Sequence, residues 1–257
     1  MKLLSITAVT CLALGLAAPA SAQSSNSAQS IINLIGSAVA NARVHRSVAE
    51  LSAPLQYEDA SGPLDPANRA DPRNADVAGV RLGMTPAQAE RALRTLGYAD
   101  SGIHGEQLSY DSLVRSDWAT RFGKPSGEPT RVPDNIIWRK AGQQVTVTFI
   151  AMPDGPRANE ITYEAGESGI SDETFLAQVQ SKYGSPINND PKNLMWCTIK
   201  APDCEDPRSA SYPVLAAWTS NRSIILVGND PGRDHALQAR READVASKQP
   251  AEPAPAF

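Results

Sequence analysis

Apolar residues recur at helical spacing in some stretches of this chain and alternate with polar ones in others. Ile31, Ile32, Leu34, Ile35, Ala38, Val39 and Ala42 fall on one helical face, followed by Arg43, His45 and Arg46. That pattern predicts an amphipathic helix within residues 23–53, stopped before Pro54. Thr85-Pro86-Ala87-Gln88 reads as a helix start, with Thr85 as N-cap, Pro86 in the first turn and Gln88 completing a capping box. Ala89, Ala92, Leu93 and Leu96 then form a stripe that ends at Gly97. Two further helices are predicted by Leu113, Val114, Trp118 and Phe122, and by Phe175, Leu176, Val179 and Tyr183. Each ends in an aromatic ring, a glycine and a proline two residues on, which is ordinary helix-stop chemistry.

Period-two alternation predicts the strands. Val145, Val147 and Phe149 alternate with Thr146, Thr148 and Ile150, turn at Pro153-Asp154-Gly155, and return through Ile161 and Tyr163. A second hairpin runs from Val214 to Thr219, turns at Ser220-Asn221-Arg222 and returns through Ile224 to Val227. Leu194 to Ile199 reads as a further strand, and the segment around Ile136 to Trp138 as an added one. Helices and hairpins are mixed rather than alternating, which predicts an α+β fold. Its mainly antiparallel sheet would have about five strands and two or three packed helices.

The flanks read differently. Residues 1–22 have the parts of a secretory signal: Lys2, an apolar run through Ala18, and Ala20-Ser21-Ala22 before Gln23. The run is too short for a ~30 Å hydrocarbon core, so no transmembrane segment is expected in the mature chain. Residues 54–76 carry Gly62-Pro63, Asp65-Pro66 and Asp71-Pro72 and read as a linker into a domain at 77–230. Residues 231–257 read as a charged tail, helix-compatible to about Lys248 and then Pro-rich and disordered.

Export changes what the cysteines mean. Cys11 would leave with the signal, and the remaining pair, Cys197 and Cys204, reads as a disulfide in an oxidising compartment, periplasmic or secreted. A net charge of −4 provides no field for nucleic acid or anionic lipid. Catalytic patterns are sparse: Gly166-Glu167-Ser168-Gly169 falls one residue short of a nucleophile elbow, and Glu160 and Glu164 read as solvated strand carboxylates. No cofactor or metal motif occurs. Two residues stand out as candidate binding groups. His104 lies in a Gly-rich loop between Gly102 and Gly105, and Trp138 beside Ile136 and Ile137 would be a recognition anchor if exposed.

The stretch Asp76 to Tyr98, centred on Leu82-Gly83-Met84-Thr85, resembles the helix start of SmpA/OmlA-like envelope lipoproteins, one of which is an accessory subunit of the outer-membrane β-barrel assembly machinery. Similar segments occur in exported bacterial proteins that later carry K-Y-G-x-P, here Lys182 to Pro186. The family's lipid-bearing cysteine is absent and the segment Leu113–Phe122 is extra. The resemblance implies an exported envelope protein with a helix-plus-sheet domain, and carries over no binding residue. The expected function is non-catalytic binding or envelope maintenance, with an envelope protein as the partner class. The alternatives are a hydrolase of envelope material using dispersed carboxylates or His104, and a secreted inhibitor of another enzyme.

Overall fold

The computed structural model describes residues 71–248 apart from 167–168, 189, 198–206 and 211. The expected signal, first helix, most of the linker, Cys204 and the Pro-rich end lie outside the described residues. The chain opens with a tight hairpin, β1 (Asp76–Val77) and β2 (Val80–Arg81). Its turn residues Ala78 and Gly79 both have positive φ, 50° and 78°, the geometry that matches strand twist in a two-residue turn. The Asp76 carboxylate accepts from the Gly79 amide at 2.9 Å and fixes the turn.

Helix α1 (Pro86–Thr95) forms as its sequence predicts. The Thr85 hydroxyl accepts from the Gln88 amide while the Gln88 side chain accepts from the Thr85 amide. The loop before it is tied to the sheet: Gly83 donates to the Ala158 carbonyl, and the Ala158 amide donates to Met84, both at 2.8 Å. Gly83 has φ 79°, so the Leu-Gly-Met-Thr segment needs glycine to make this docking turn.

The strands that follow are β3 (Ala99–Leu108), β4 (Arg131–Lys140), β5 (Gln143–Ile150), β6 (Arg157–Glu164), β7 (Asn193–Cys197), β8 (Val214–Trp218) and β9 (Ser223–Val227). They form one seven-stranded antiparallel sheet in the order β3-β4-β5-β6-β9-β8-β7. Helix α2 (Tyr110–Phe122) interrupts β3 and β4, α3 (Asp172–Tyr183) links β6 to β7, and α4 (Pro231–Ser247) ends the described chain.

The fold is α+β and antiparallel as predicted, with more strands and four helices among the described residues. The Gly-rich segment around His104, read as a loop, is the edge strand β3. Its pairing with β4 is broken by two register shifts. The helix-compatible part of the tail is α4, which packs on α2 through Val245 against Tyr110 and Val114. The contact is locked by Tyr110 Oη donating to Asp244 at 2.9 Å and Trp118 Nε1 donating to the Lys248 carbonyl at 2.9 Å.

One face of the sheet is covered by α1, α3 and the β1–β2 hairpin. Val145, Val147, Phe149, Ile161, Leu215 and Leu226 meet Ala89, Leu93, Phe175 and Val179 there in one core. On the opposite face, a smaller core joins Met195, Val214, Ala216, Ile225 and Val227 with Ala210.

Candidate functional site

Helix α3 places Phe175, Gln178, Val179, Lys182 and Tyr183 at spacings of three, four, seven and eight, which is one helical face. Phe175, Val179 and Tyr183 are buried by the sheet. Gln178 and Lys182 reach the rim of a cavity of about 340 Å³ between α3, the β1–β2 turn and the ends of β5, β6 and β9. Its floor follows from sheet register, because Tyr163 and Ile224 pair in one rung across β6 and β9, with Gln143 of β5 at the side. Tyr98, which follows the Gly97 stop of α1, supplies another wall.

The polar groups converge on this apolar volume. Tyr98 Oη donates to Gln143 Oε1 at 2.9 Å. Burial pushes the Tyr98 phenol up to about 12, and the charge on a neighbouring Tyr163 phenolate would add to the shift. Burial raises the Tyr163 phenol too. Neither the Tyr163 hydroxyl nor the Gln178 amide bonds another described residue. Lys182 Nζ is 2.6 Å from Asp76 Oδ2 and 5.2 Å from the Tyr183 ring centroid. Tyr183 Oη donates to the Asp76 carbonyl at 2.7 Å.

The lining residues are phenols, amides, hydrocarbons and one ammonium already neutralised by Asp76. Such a set recognises a ligand by shape and a few hydrogen bonds. Asp76 is thus joined to Lys182 and Tyr183, 106 and 107 positions away in sequence, beside the cavity wall.

The residues singled out from sequence lie elsewhere. His104 sits on the β3 edge with its Nε2 3.2 Å from Asp100 Oδ2, both side chains well exposed and away from the cavity. Trp138 is buried in the core at 2 % exposure, so it is not an exposed anchor. The alternation of β4 turns it inward with Ile136, and the Arg94 guanidinium lies 5.6 Å above its ring. Cys197 ends β7, and its expected partner Cys204 lies outside the described residues. Glu160 and Glu164 are on the opposite face of the sheet from α3. The structure brings none of these into the cavity.

Sequence reading missed Tyr98, Gln143, Tyr163, Gln178 and Lys182. The available signal was weak: Gln178 and Lys182 flank the buried stripe of Phe175, Val179 and Tyr183 at the same helical spacing, as polar residues at the border of a helix face commonly do. No protein-family model, curated protein or solved structure matches the chain.

Proposed function

We propose that the protein is an exported, non-catalytic binding module of the cell envelope that takes a small uncharged ligand into the cavity beside α3. One observation carries this reading: Tyr163 and Gln178 present a hydroxyl and an amide, neither bonded to another described residue, at an apolar cavity of about 340 Å³. A volume of that size suits a single-ring ligand or the side chain of a partner protein. An uncharged ligand is favoured because Lys182, the one ammonium among the described lining residues, is paired with Asp76.

The test is ligand-observed NMR with phenol, benzamide and indole as probes. Benzamide and phenol should bind with Kd values of about 1 mM. Tyr163→Phe and Gln178→Ala should each weaken benzamide by about fivefold or more, while His104→Ala leaves it unchanged. Binding untouched by both cavity substitutions, or absent for all three probes, would sink the proposal.

Export rests on residues 1–22 and on the resemblance of 76–98 and 182–186 to envelope proteins. Intact-mass spectrometry of the full-length chain expressed in a Gram-negative host should find it outside the cytoplasm, beginning at Gln23. It should also be lighter by two hydrogens than its reduced form, as the Cys197–Cys204 bridge requires. A species retaining Met1, or one carrying two free thiols, would overturn the export or the disulfide respectively.

A further inference from the structure

The sheet face opposite α3 carries a second, chemically different hollow. Glu164, Ser223 and Trp218 pair in one rung across β6, β9 and β8. Adjacent strands lie about 4.8 Å apart, so the carboxylate and the indole rise roughly 10 Å from each other with only a serine between them. The result is a trough of about 360 Å³, walled also by Thr162, Asn221 and Arg208.

Its groups are arranged for directional bonding around a flat apolar platform. Glu164 is exposed, and its carboxylate forms no ion pair or hydrogen bond with another described residue. Asn221 Oδ1 accepts from the Ser223 hydroxyl at 2.9 Å, and its Nδ2 bonds no other described residue. The Arg208 guanidinium stands 3.6 Å from Glu160, which lies on the same face two rungs beyond Glu164, past Thr162. Trp218 is partly covered by the smaller core, which holds its ring in place.

We infer that this trough binds the pyranose ring of a saccharide. The C–H face of such a ring stacks on an indole, while its vicinal hydroxyls need an acceptor on one side and donors on the other. Glu164 is acceptor-only, and the Asn221 amide and the Arg208 guanidinium supply donors, while the Thr162 hydroxyl, which donates to Glu160 at 3.4 Å, is left as an acceptor. A purely apolar ligand would leave these groups desolvated and unpaired, at a cost that grows with each one. A nucleic acid would set phosphates against Glu164. A cationic ligand would be drawn to Glu164 and Trp218 and opposed by Arg208.

The site is separate from the cavity beside α3, so either can fail without the other. The experiment is a titration of isotope-labelled mature protein with glucose, N-acetylglucosamine, maltose and N,N′-diacetylchitobiose, with choline chloride as a control. At least one saccharide should shift the Trp218 indole and Asn221 side-chain resonances, with a Kd of about 1 mM or tighter. Glu164→Gln changes an exposed side chain and should weaken that binding about tenfold with the fold intact, whereas Tyr163→Phe should leave it unaltered. Trp218→Leu should abolish it. The inference is overturned if no saccharide moves these resonances, if only choline does, or if Glu164→Gln has no effect.

Discussion

Replacing Tyr183 with alanine is expected to lower the free energy of unfolding by about 3–5 kcal/mol. Tyr183 is 2 % exposed, and its ring lies 5.6 Å from that of Trp196 at an interplanar angle of 56°. Truncation would leave a ring-sized void between α3 and β7, and the close-packed side chains around it, Trp196 among them, relax into it only in part. The hydroxyl adds a separate contribution. It donates to the Asp76 carbonyl, so Tyr183→Phe should leave that acceptor unpaired at a cost of about 1–2 kcal/mol. Urea unfolding of the two variants at neutral pH separates ring from hydroxyl. A loss below about 2 kcal/mol for alanine would mean that α3 is held chiefly by Phe175 and Val179 instead.

The same contact explains why the β1–β2 hairpin persists although it is so short. Two paired residues on each side would not hold by themselves. Asp76 is gripped through its carbonyl by Tyr183 and through its carboxylate by Lys182 and Gly79, and Val77 and Val80 are fully buried. The hairpin is thus held by the last turn of α3, and it forms the rim of the cavity at Ala78.

What the sequence disclosed follows from how local each signal is. The α1 start was legible because the capping box is complete within four residues, Thr85 to Gln88. Strands β5 and β9 were legible because they are interior to the sheet, so burial writes an apolar pattern into them. β3 was not, because it is an edge strand with a single paired neighbour and an exposed, Gly-interrupted sequence. Its residues Gly102 and Gly105 sit where the register shifts, and there they look like a loop. The docking of α4 was hidden for a related reason: only Val245 is buried along the whole helix, and its other ties are polar. The Ile136 to Trp138 segment was legible as an added strand, and the pairing of β4 with β5 turns Trp138 into the core rather than outward as an anchor. The cavity was least legible of all. Tyr98, Tyr163 and Lys182 meet through strand register and helix docking, neither of which has a short-range signature.

Tyrosine burial should also make the protein lose stability steeply in alkali. Tyr98 titrates at about 12 in the folded state against an ordinary 10, chiefly because burial disfavours the phenolate, with Tyr163 nearby adding repulsion. Between pH 10 and 12 the unfolded chain has released this proton and the folded chain has not, so each rise in pH favours unfolding. The stability tied to the neutral phenol is fully present below pH 10 and gone above pH 12, a span of about 1–2 kcal/mol because solvent screens a phenol at an open cavity. Tyr163 is raised by burial and acts in the same direction. Tyr110 is raised further still, by burial first and then by its hydrogen bond to Asp244, with Arg240 and Arg241 partly offsetting. Urea midpoints measured from pH 8 to 12, with phenolate absorbance followed in parallel, should therefore fall mainly above pH 10. Tyr98→Phe should flatten that fall while changing neutral stability by only about 1 kcal/mol, the worth of its bond to Gln143. Tyr110→Phe should flatten it as well, from the α2–α4 pair. If the Tyr98 variant keeps the full alkaline slope and the Tyr110 variant loses it, alkaline unfolding begins at the helix pair and the cavity wall follows. The reverse result would make the cavity the first part of the fold to open.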